Sequence, residues 1–536
     1  MGAPSHDDIV IPGLADAAER AAYVRSRRSG VTHARALQPR NPAPGEDVVV
    51  ELTVGPDAPA GNAWIDVEGE RRPLELIGSD WDTLVWGYVR RYGGVVPGRP
   101  AGVVHYSLGV GGAEADGGAP QAFVVGGTGA PTWAEDAIVY QVWVDRFSNA
   151  DGSPWPGRES GPADRYGGTL AGLRERLDHV QEVGANTVWL NPIHPSSAYH
   201  GYEVTDYFAV DPALGSLDDF DRLVAEMRRR GLRLVLDFVA SHVSDRHPAF
   251  VAARAEQTSP YRSWFRFDEW PDAYRTFFDV PTMPQLNHDE VAVREHLVEA
   301  ALFWLGRGVD GLRLDYAGGA SYELWAELRA AARAEARECW LFGEVVNTPA
   351  AQLEYEGLFD GCLDFQLAQA LRGAFGYRER NLAELGVFLD AHEAAFPSSF
   401  SRPSFLDNHD LDRMLWLTGG NAEWLRIAAL CQFTLAGPPI VYYGTEVGLS
   451  QQRSIKDGGD EHARLPMLWG DDQDGDLLRF YRELAALRHA IPPVSRETIA
   501  AEGTRLAYAR GTITVELDLH GPSALVRDGA DVLLRA

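Results

Sequence analysis

Hydrophobic and polar positions follow two different patterns along the chain, and the change falls near Trp133. From Val48 to Val125, short β-rich runs such as VVVELTV, AWIDV and GVVHYSLGV are separated by turns of Gly, Pro and Asp. Such runs with frequent turns are typical of two antiparallel sheets packed face to face. We therefore predict a β-sandwich domain over residues 41–128, preceded by an N-terminal segment, residues 1–40, with one short charged helix.

Eight apolar runs follow Trp133, and amphipathic helical stretches separate most of them. The runs are AIVYQVWV, NTVWLNPI, LRLVLDFV, VDGLRLD, CWLFGE, GCLDF, PSFLDN and IVYYG. Eight successive strand–helix units predict an α/β fold, a closed (β/α)8 TIM barrel, over residues 129–492. An open doubly wound sheet is the alternative, but no GxGxxG follows the first strand.

Two shorter segments complete the predicted organisation. Residues 244–289, after the third barrel strand, are rich in Trp, Phe, Tyr, Asp and Pro, which predicts a short excursion domain over the barrel mouth. Residues 493–536 contain the β-prone runs RLAYAR and ITVELDL, which predict a small C-terminal β domain.

Aromatic side chains of the predicted sandwich have two interpretations, core packing or stacking on sugar rings. Aromatic residues in a sandwich more often fill its core, so we expect core positions for them. They are Trp64, Trp81, Trp86, Tyr88 and Tyr92.

Composition limits the classes of partner and the cellular compartment. The 536 residues include 49 basic and 77 acidic ones, and the formal net charge of −28 disfavours nucleic acid and anionic membranes. The chain has no apolar stretch long enough for a membrane span, and its first residues do not follow the signal-peptide pattern. Its three cysteines lack metal-ligand spacing. We therefore expect a cytoplasmic protein that acts on a neutral substrate, without nucleic-acid or membrane partners.

Charged and imidazole side chains lie at the C-terminal ends of four predicted strands. In barrel enzymes these ends surround the active site. Asp315 and Glu344 end neighbouring strands, and retaining glycoside hydrolysis needs two such carboxyl groups about 5 to 5.5 Å apart. The other side chains at these ends are Asp237, His242, Arg313, His409 and Asp410.

Arg313 lies two residues before Asp315, so strand alternation points both side chains to the same face. The guanidinium can then hold Asp315 ionised, as a nucleophile requires. Glu344 has no basic neighbour in the sequence, and burial would raise its pKa toward that of an acid/base catalyst. The alternatives are a structural ion pair of Arg313 with Asp315, or a metal site that would lack its third and fourth ligands.

The segments LDFVASH, GLRLD, FGE and FLDNHD, in this order, resemble the four sequence regions of the α-amylase family of retaining glycoside hydrolases. The resemblance spans about residues 137–492 and includes GANTVWLNPI, HGYEVTDYF, MPQLN and GPPIVYYGTEVG. MPQLN, the short excursion and the N-terminal β domain are most similar to the neopullulanase, cyclomaltodextrinase and maltogenic amylase branch. The family implies a (β/α)8 barrel that acts on α-glucosides.

The resemblance also implies a role for each site residue. Asp315 would be the nucleophile, Glu344 the general acid/base, and Asp410 would stabilise the transition state through the sugar hydroxyls. The substrate-binding residues would be a stacking platform, two sugar-binding histidines and two supports of the nucleophile: Tyr202, His242, His409, Arg313 and Asp237.

The resemblance implies hydrolysis of α-1,4-glucosidic bonds in maltodextrins, cyclodextrins or malto-oligosaccharides through a covalent glycosyl-aspartate intermediate. The alternatives are an α-glucan transglycosylase, another α-glucoside-acting member, and a non-catalytic sugar-binding or scaffold barrel. In this branch the N-terminal domain can bind starch or help to form a homodimer.

The chain departs from the family at two places. Ser241 replaces the usual Asn ligand of a structural calcium, and a hydroxyl is the poorer ligand. We therefore expect no required cofactor, and a structural calcium ion stays open. Residues 316–320, YAGGA, lack the usual contacts to the leaving sugar.

Overall fold

The structure is a computed structural model that describes residues 17–127, 129–150, 164–335, 338–492 and 494–536. The first 16 residues of the N-terminal segment lie outside the described residues. Helix α1 (Ala17–Ser29) precedes the first sheets, in agreement with the short charged helix predicted for the N-terminal segment.

Ten strands then form two antiparallel sheets, as the alternating pattern predicts. The first sheet has the order β1-β3-β7-β6 with β2 beside β3, and the second has the order β10-β8-β4-β5 with β9 beside β8. Val48, Val50 and Leu52 are buried on alternate positions of one strand, because successive side chains point to opposite faces. The prediction of a sandwich is confirmed. The strands are β1 (Val31–Thr32), β2 (Leu37–Gln38), β3 (Val48–Val54), β4 (Ala63–Val67), β5 (Glu70–Pro73), β6 (Glu75–Asp82), β7 (Gly87–Val96), β8 (Gly102–Val110), β9 (Ala113–Glu114) and β10 (Gln121–Val125).

The expected core role is wrong for three of the five sandwich aromatics. Trp64 is buried, but Trp81, Trp86 and Tyr88 are 49%, 75% and 62% exposed. The hairpin formed by β6 and β7 brings them together, with the Trp81 ring 5.8 Å from Trp86 and 5.2 Å from Tyr88. Every residue of β6 is exposed or half-buried, so among the described residues no second sheet buries this strand.

Seven parallel strands form the barrel sheet, in the order β18-β17-β16-β13-β12-β11-β19, and β14 and β15 form a separate hairpin in the excursion. This order of parallel strands with helices between them agrees with the predicted (β/α)8 barrel. The strands are β11 (Val139–Val142), β12 (Thr187–Leu190), β13 (Arg233–Val239), β14 (Phe267–Glu269), β15 (Ala273–Tyr274), β16 (Gly311–Asp315), β17 (Trp340–Gly343), β18 (Gly361–Cys362) and β19 (Ile440–Tyr442).

The barrel closes through the predicted seventh run, PSFLDN, without a regular strand there. Isolated parallel bridges join Ser401 to Gly361 and Ser404 to Pro439. The Cys362 amide donates to the Ser401 carbonyl at 3.1 Å. Pro403 lies between the two bridges and has no N–H to donate, which interrupts a continuous ladder.

Helices cover the outside of the barrel. Helix α6 shows why they form, because a capping box of Ser216 and Asp219 opens it and Phe220, Leu223 and Met227 are buried on one face. Helix α7 belongs to the excursion. The helices are α2 (Thr132–Glu135), α3 (Val144–Phe147), α4 (Leu170–Glu175), α5 (Leu177–Glu182), α6 (Leu217–Arg229), α7 (Pro248–Ala255), α8 (Val291–Gly306), α9 (Tyr322–Glu335), α10 (Pro349–Leu353), α11 (Phe365–Leu371), α12 (Leu382–Ala395), α13 (Met414–Leu417), α14 (Ala422–Thr434), α15 (Ile455–Gly458) and α16 (Gly475–Ala490).

A five-stranded antiparallel sheet ends the chain, in agreement with the predicted small C-terminal β domain. It docks on the barrel, where the hydroxyls of Tyr508 and Thr434 lie 2.6 Å apart. Among the described residues, no helix is long and apolar enough to cross a membrane. The strands are β20 (Glu497–Glu502), β21 (Arg505–Arg510), β22 (Ile513–Asp518), β23 (Ser523–Asp528) and β24 (Asp531–Arg535).

Candidate active site

Neighbouring barrel strands bring the predicted catalytic side chains to one end of the barrel. Asp237 on β13 is paired in register with Arg313 on β16. Asp315 is the last residue of β16, and Glu344 directly follows β17, whose Gly343 pairs with Leu314 of β16. These side chains therefore meet where the strands end.

One guanidinium holds three carboxyl groups. Arg313 Nη1 donates to Asp237 Oδ1 at 2.8 Å and to Asp315 Oδ1 at 2.7 Å. Its Nη2 lies 2.9 Å from Glu344 Oε2. Arg313 and Asp237 are fully buried, and the side chains of Asp315 and Glu344 are 9% and 15% exposed. Arg313 thus joins the two predicted catalytic carboxyl groups.

Burial and shared charge set the protonation of this cluster. Burial raises the pKa of Asp315 well above its ordinary value, and the Arg313 guanidinium opposes that rise. Burial also raises the pKa of Glu344, again against Arg313, and raises the pKa of Asp237 to about 6. Three acids around one cation resist ionising together, because like charges repel strongly in a buried site. The cluster therefore favours one retained proton beside ionised partners, which suits acid/base chemistry.

Tyr202 and His409 form the wall beside this cluster. Gln141 Nε2 donates to His409 Nδ1 at 2.9 Å, so the ring hydrogen lies on Nε2. That Nε2 is 2.6 Å from the Tyr202 hydroxyl and 3.0 Å from Asp410 Oδ2. The Tyr202 hydroxyl donates to Asp237 Oδ2 at 3.0 Å. Burial lowers the pKa of His409 well below its usual value, so the ring is neutral.

Asp410 is held at the mouth of the site by Arg464. Arg464 Nη2 donates to Asp410 Oδ1 at 2.9 Å and to Asp460 Oδ2 at 3.0 Å, and its Nε donates to the His409 carbonyl at 2.7 Å. The guanidinium lies 4.7 Å from the centre of the Trp143 ring. The Asp410 side chain is 39% exposed, so a ligand can reach it.

A family model for the α-amylase catalytic domain matches residues 141–480. The chain belongs to the α-amylase family. It is 38% identical over 374 residues to a protein named Alpha-amylase 2 from Dictyoglomus thermophilum. That match covers 69% of this chain and 66% of the relative, so it spans slightly less than two thirds of the relative's length.

Solved structures of family members share the fold. A cyclic alpha-maltosyl-(1→6)-maltose hydrolase from Arthrobacter globiformis matches with a TM-score of 0.68 and 30% identity, over 75% of this chain and 92% of that one. A cyclomaltodextrinase matches with a TM-score of 0.69 and 26% identity, over 92% of this chain and 91% of that one. The predicted family, the predicted similarity to the cyclomaltodextrinase branch and the predicted fold class are confirmed.

His242 lies next to the excursion, where it forms an isolated bridge with Gln285. Its Nδ1 is 2.8 Å from the Ser241 hydroxyl, and its ring packs against Phe277 with centres 4.5 Å apart. Burial lowers the pKa of His242 to about 3, so this ring is also neutral. The structure thus brings all eight predicted site residues of this α-amylase family member to one end of the barrel.

Ser241 does not fit the calcium site that the family implies. The side chain is fully buried, and its hydroxyl already bonds His242. A hydroxyl is also a weaker calcium ligand than an amide carbonyl. Within the described ranges, no group of three or more His, Cys, Asp or Glu side chains could hold a metal ion.

Aromatic residues line the side of the site where the sequence departs from the family. Tyr316 follows the nucleophile candidate with a left-handed backbone (φ 37°), and its N–H donates to Glu344 Oε2 at 3.0 Å. The ring packs edge-on against Phe277 and Phe278 of the excursion, with centres 5.1 and 5.0 Å away. The excursion therefore completes this wall of the site.

Four further polar residues of the site were not predicted. Gln141 is a buried amide inside the apolar run AIVYQVWV, and Asn191 follows the second strand and donates to the Tyr202 hydroxyl at 3.1 Å. A side-chain amide within or directly after a buried strand is a sequence signal that could have identified both residues as part of the site. Arg464 and Asp460 lie in a loop after the eighth strand, and no pattern in their segment marks them.

Proposed function

We propose that the protein is a retaining hydrolase of α-1,4-glucosidic bonds in maltodextrins, cyclodextrins or malto-oligosaccharides. The observation that carries the proposal is the Arg313 guanidinium, which bonds both Asp315 and Glu344. Retaining glycosidases need two carboxyl groups about 5 to 5.5 Å apart, one ionised and one protonated. A bridging guanidinium keeps the pair close and favours the ionised state of one member.

In the first step, Asp315 attacks the anomeric carbon while Glu344 gives its proton to the leaving oxygen. Arg313 occupies Asp315 Oδ1, which leaves Oδ2 to form the glycosyl ester. Arg313 and the Tyr316 amide both bind Glu344 Oε2, which leaves Oε1 to carry the proton. In the second step, Glu344 takes a proton from water, and the resulting hydroxide displaces Asp315.

Three side chains would hold the sugar ring during these steps. The Tyr202 and His409 rings are parallel within 7°, with centres 5.7 Å apart, and offer the sugar an aromatic face. Asp410, fixed by Arg464, would accept hydrogen bonds from sugar hydroxyls. Contacts that strengthen as the ring flattens lower the barrier, because they act more on the transition state than on the substrate.

A neutral α-glucan substrate is supported by the relatives' names, which are an α-amylase, a cyclomaltodextrinase and a cyclic maltosyl-maltose hydrolase. The net charge of −28 also favours neutral ligands over nucleic acid. The measurement is product analysis from maltotriose, pullulan and a cyclodextrin incubated side by side, with the anomeric form of the first product read by proton NMR. Release of the α-anomer supports retention, and a first product in the β-form would contradict it.

Replacement of Glu344 by Gln tests the acid/base role. Turnover of maltotriose should fall by about 10²- to 10⁴-fold, with a smaller loss on 4-nitrophenyl α-maltoside, whose leaving group needs little protonation. Glu327→Gln, which removes a carboxylate bonded to Arg294 on the barrel exterior, is the matched control. Equal turnover by Glu344→Gln and an active parent would refute the acid/base role, and a parent without turnover would indicate a non-catalytic barrel. Faster elongation of an added labelled acceptor than hydrolysis would indicate a transglycosylase.

We further propose that the protein is a cytoplasmic homodimer in which the β6–β7 hairpin contacts the second copy. Cys339, Cys362 and Cys431 are buried free thiols, as is typical of a reducing compartment. Exposed aromatic clusters mark interaction sites, and Trp86 and Tyr88 lie at the hairpin tip.

Sedimentation of the parent and of a Trp86→Ser, Tyr88→Ser double variant tests the dimer. A dimer that dissociates in the variant supports the proposal. A monomeric parent whose migration is slowed by glycogen in a native gel would instead assign the hairpin to glucan binding.

A further inference from the structure

The contact between the N-terminal sandwich and the barrel contains a buried arginine with no bonded acceptor. Two arginines of the N-terminal part are paired across this contact, Arg27 with Glu354 at 3.1 Å and Arg40 with Glu356 at 3.3 Å. Arg35 lies between them in the sequence and is 0% exposed. Among the described residues, its Nε, Nη1 and Nη2 atoms have no hydrogen-bond partner.

The backbone holds Arg35 firmly in this place. Ala34 and Arg35 both have left-handed backbone angles, with φ of 49° and 44°. Such angles persist in residues with side chains only where the surroundings enforce them. The Asp116 carboxylate accepts the Ala34 N–H at 3.0 Å and the His33 N–H at 3.3 Å. The inward position of the guanidinium is therefore fixed by its own turn.

Tyrosine side chains surround the guanidinium but give it no acceptor. Its carbon lies 5.3 Å from the centre of the Tyr322 ring, and Tyr106 and Tyr355 are also near enough to interact with its charge. The Tyr322 hydroxyl donates to Glu354 Oε2 at 2.7 Å. These rings can attract a cation through their faces, but they are neutral and leave all the N–H groups unsatisfied.

A buried full charge without a counter-charge is strongly unfavourable. Burial lowers the pKa of Arg35, and the nearby Arg40 adds a second positive charge. Water could satisfy the N–H groups, but it would not balance the charge. We propose that Arg35 binds a small monovalent anion of the halide class, with chloride as the ligand, in the contact between the sandwich and the barrel.

This site is independent of the proposed hydrolysis, because none of its residues belongs to the active site. An anion here would join the two units, since Arg35 comes from the N-terminal part and Tyr322 begins helix α9 of the barrel. A ligand that binds only the folded state shifts the folding equilibrium toward that state, by about a hundredfold when the ligand concentration is about 100 times its dissociation constant. The protein should therefore be stabilised by chloride more than ionic strength alone explains.

Thermal unfolding of the full chain in sodium chloride and in sodium gluconate of equal ionic strength tests the proposal. The parent protein should gain stability in chloride with a saturable dependence, and bromide should act in the same way. Arg35→Met should lose this response and should be at least as stable as the parent in gluconate, because a neutral side chain needs no counter-ion. Arg28→Met, whose arginine is exposed and paired with Asp82, should keep the response.

An equal response to chloride and gluconate in the parent, or an unchanged chloride response in Arg35→Met, would overturn the proposal. Crystals of the parent soaked in bromide give a second measurement that does not depend on a variant folding. An anomalous peak within hydrogen-bond distance of Arg35 is expected. Electron density at Arg35 that shows water and no anomalous peak would refute the proposed anion site.

Discussion

Replacement of Asp237 by Asn should move the whole pH profile of the enzyme to lower pH. Asp237 and Asp315 are bonded to the same Nη1 of Arg313, at 2.8 and 2.7 Å, so the two bonded oxygens are at most about 5.5 Å apart. The Asp237 charge raises the pKa of Asp315. Asn keeps the shape of the side chain, removes the charge and leaves Arg313 to the other two carboxyl groups.

The magnitude follows from the separation of the charges. Two unit charges about 5.5 Å apart interact by about 3 kcal/mol at an effective dielectric constant of about 20. One pKa unit corresponds to about 1.36 kcal/mol, so both limbs of the profile should move by about two pH units. Asp315 then ionises at lower pH, which moves the acidic limb down. Glu344 also loses its proton at lower pH because less negative charge surrounds it, which moves the alkaline limb down.

The assay is kcat/KM for 4-nitrophenyl α-maltoside across pH, for the parent and for Asp237→Asn. The height of the profile should also fall, because the single amide oxygen of Asn cannot accept from both Arg313 and Tyr202, as the two carboxylate oxygens do. Asp360→Asn is the matched control, since Asp360 is equally buried and bonded to Arg329 and Arg333 but lies outside the site. Limbs that stay in place, or that move to higher pH, would refute the shared-charge reasoning.

Variants at three other positions extend this reasoning. Arg464→Met should lower kcat/KM by about 10- to 150-fold, which corresponds to the loss of one charged hydrogen bond of about 1.5–3 kcal/mol. Arg464→Lys should recover part of the lost kcat/KM, because its ammonium group can still hold Asp410. Equal kcat/KM of the Met and Lys variants would count against a charge-based role. Tyr202→Phe should lower kcat/KM about 10-fold or more, because only the hydroxyl is removed. Tyr202→Ala should lower kcat/KM further, because the ring stacked on His409 is also removed. Similar losses in the two variants would refute the stacking role. Burial lowers the pKa of His194 to about 4, so the ring is neutral in the folded protein and binds a proton on unfolding below about pH 6.5. The free energy of unfolding in urea of the parent should therefore fall relative to that of His194→Phe between pH 7 and 4.5, by up to about 3 kcal/mol. A constant difference between the two would contradict the assignment.

The centre of the site could be predicted from the sequence because it follows from strand geometry. Arg313 and Asp315 share a face by simple alternation, and Glu344 ends the next strand in the order of the chain. Parallel strands that follow one another in a barrel are neighbours in space. Local sequence and three-dimensional position are therefore linked at these three residues.

The rest of the site depends on loops, where that link is absent. Arg464 reaches Asp410 from a loop after the eighth strand, and Phe277 and Phe278 reach Tyr316 from the excursion. Their positions come from tertiary packing, not from a period in the sequence. The same limit explains the error at Trp86, because alternation says which residues share a face but not whether a second layer covers that face.

The carboxyl cluster also shows what the barrel must supply to make this site. The pKa of Asp237 rises from 3.8 to about 6 on folding, so at pH 7 its ionised form costs the folded state about 3 kcal/mol. That cost begins to fall near pH 6 and is gone below about pH 3.8, because between these values the folded protein binds the proton and the unfolded chain does not. Asp315 and Glu344 add costs of the same sign. One guanidinium cannot offset three buried acids, so the packing of the surrounding strands must hold them together. The charge repulsion that weakens the fold is what keeps a proton available for the leaving group.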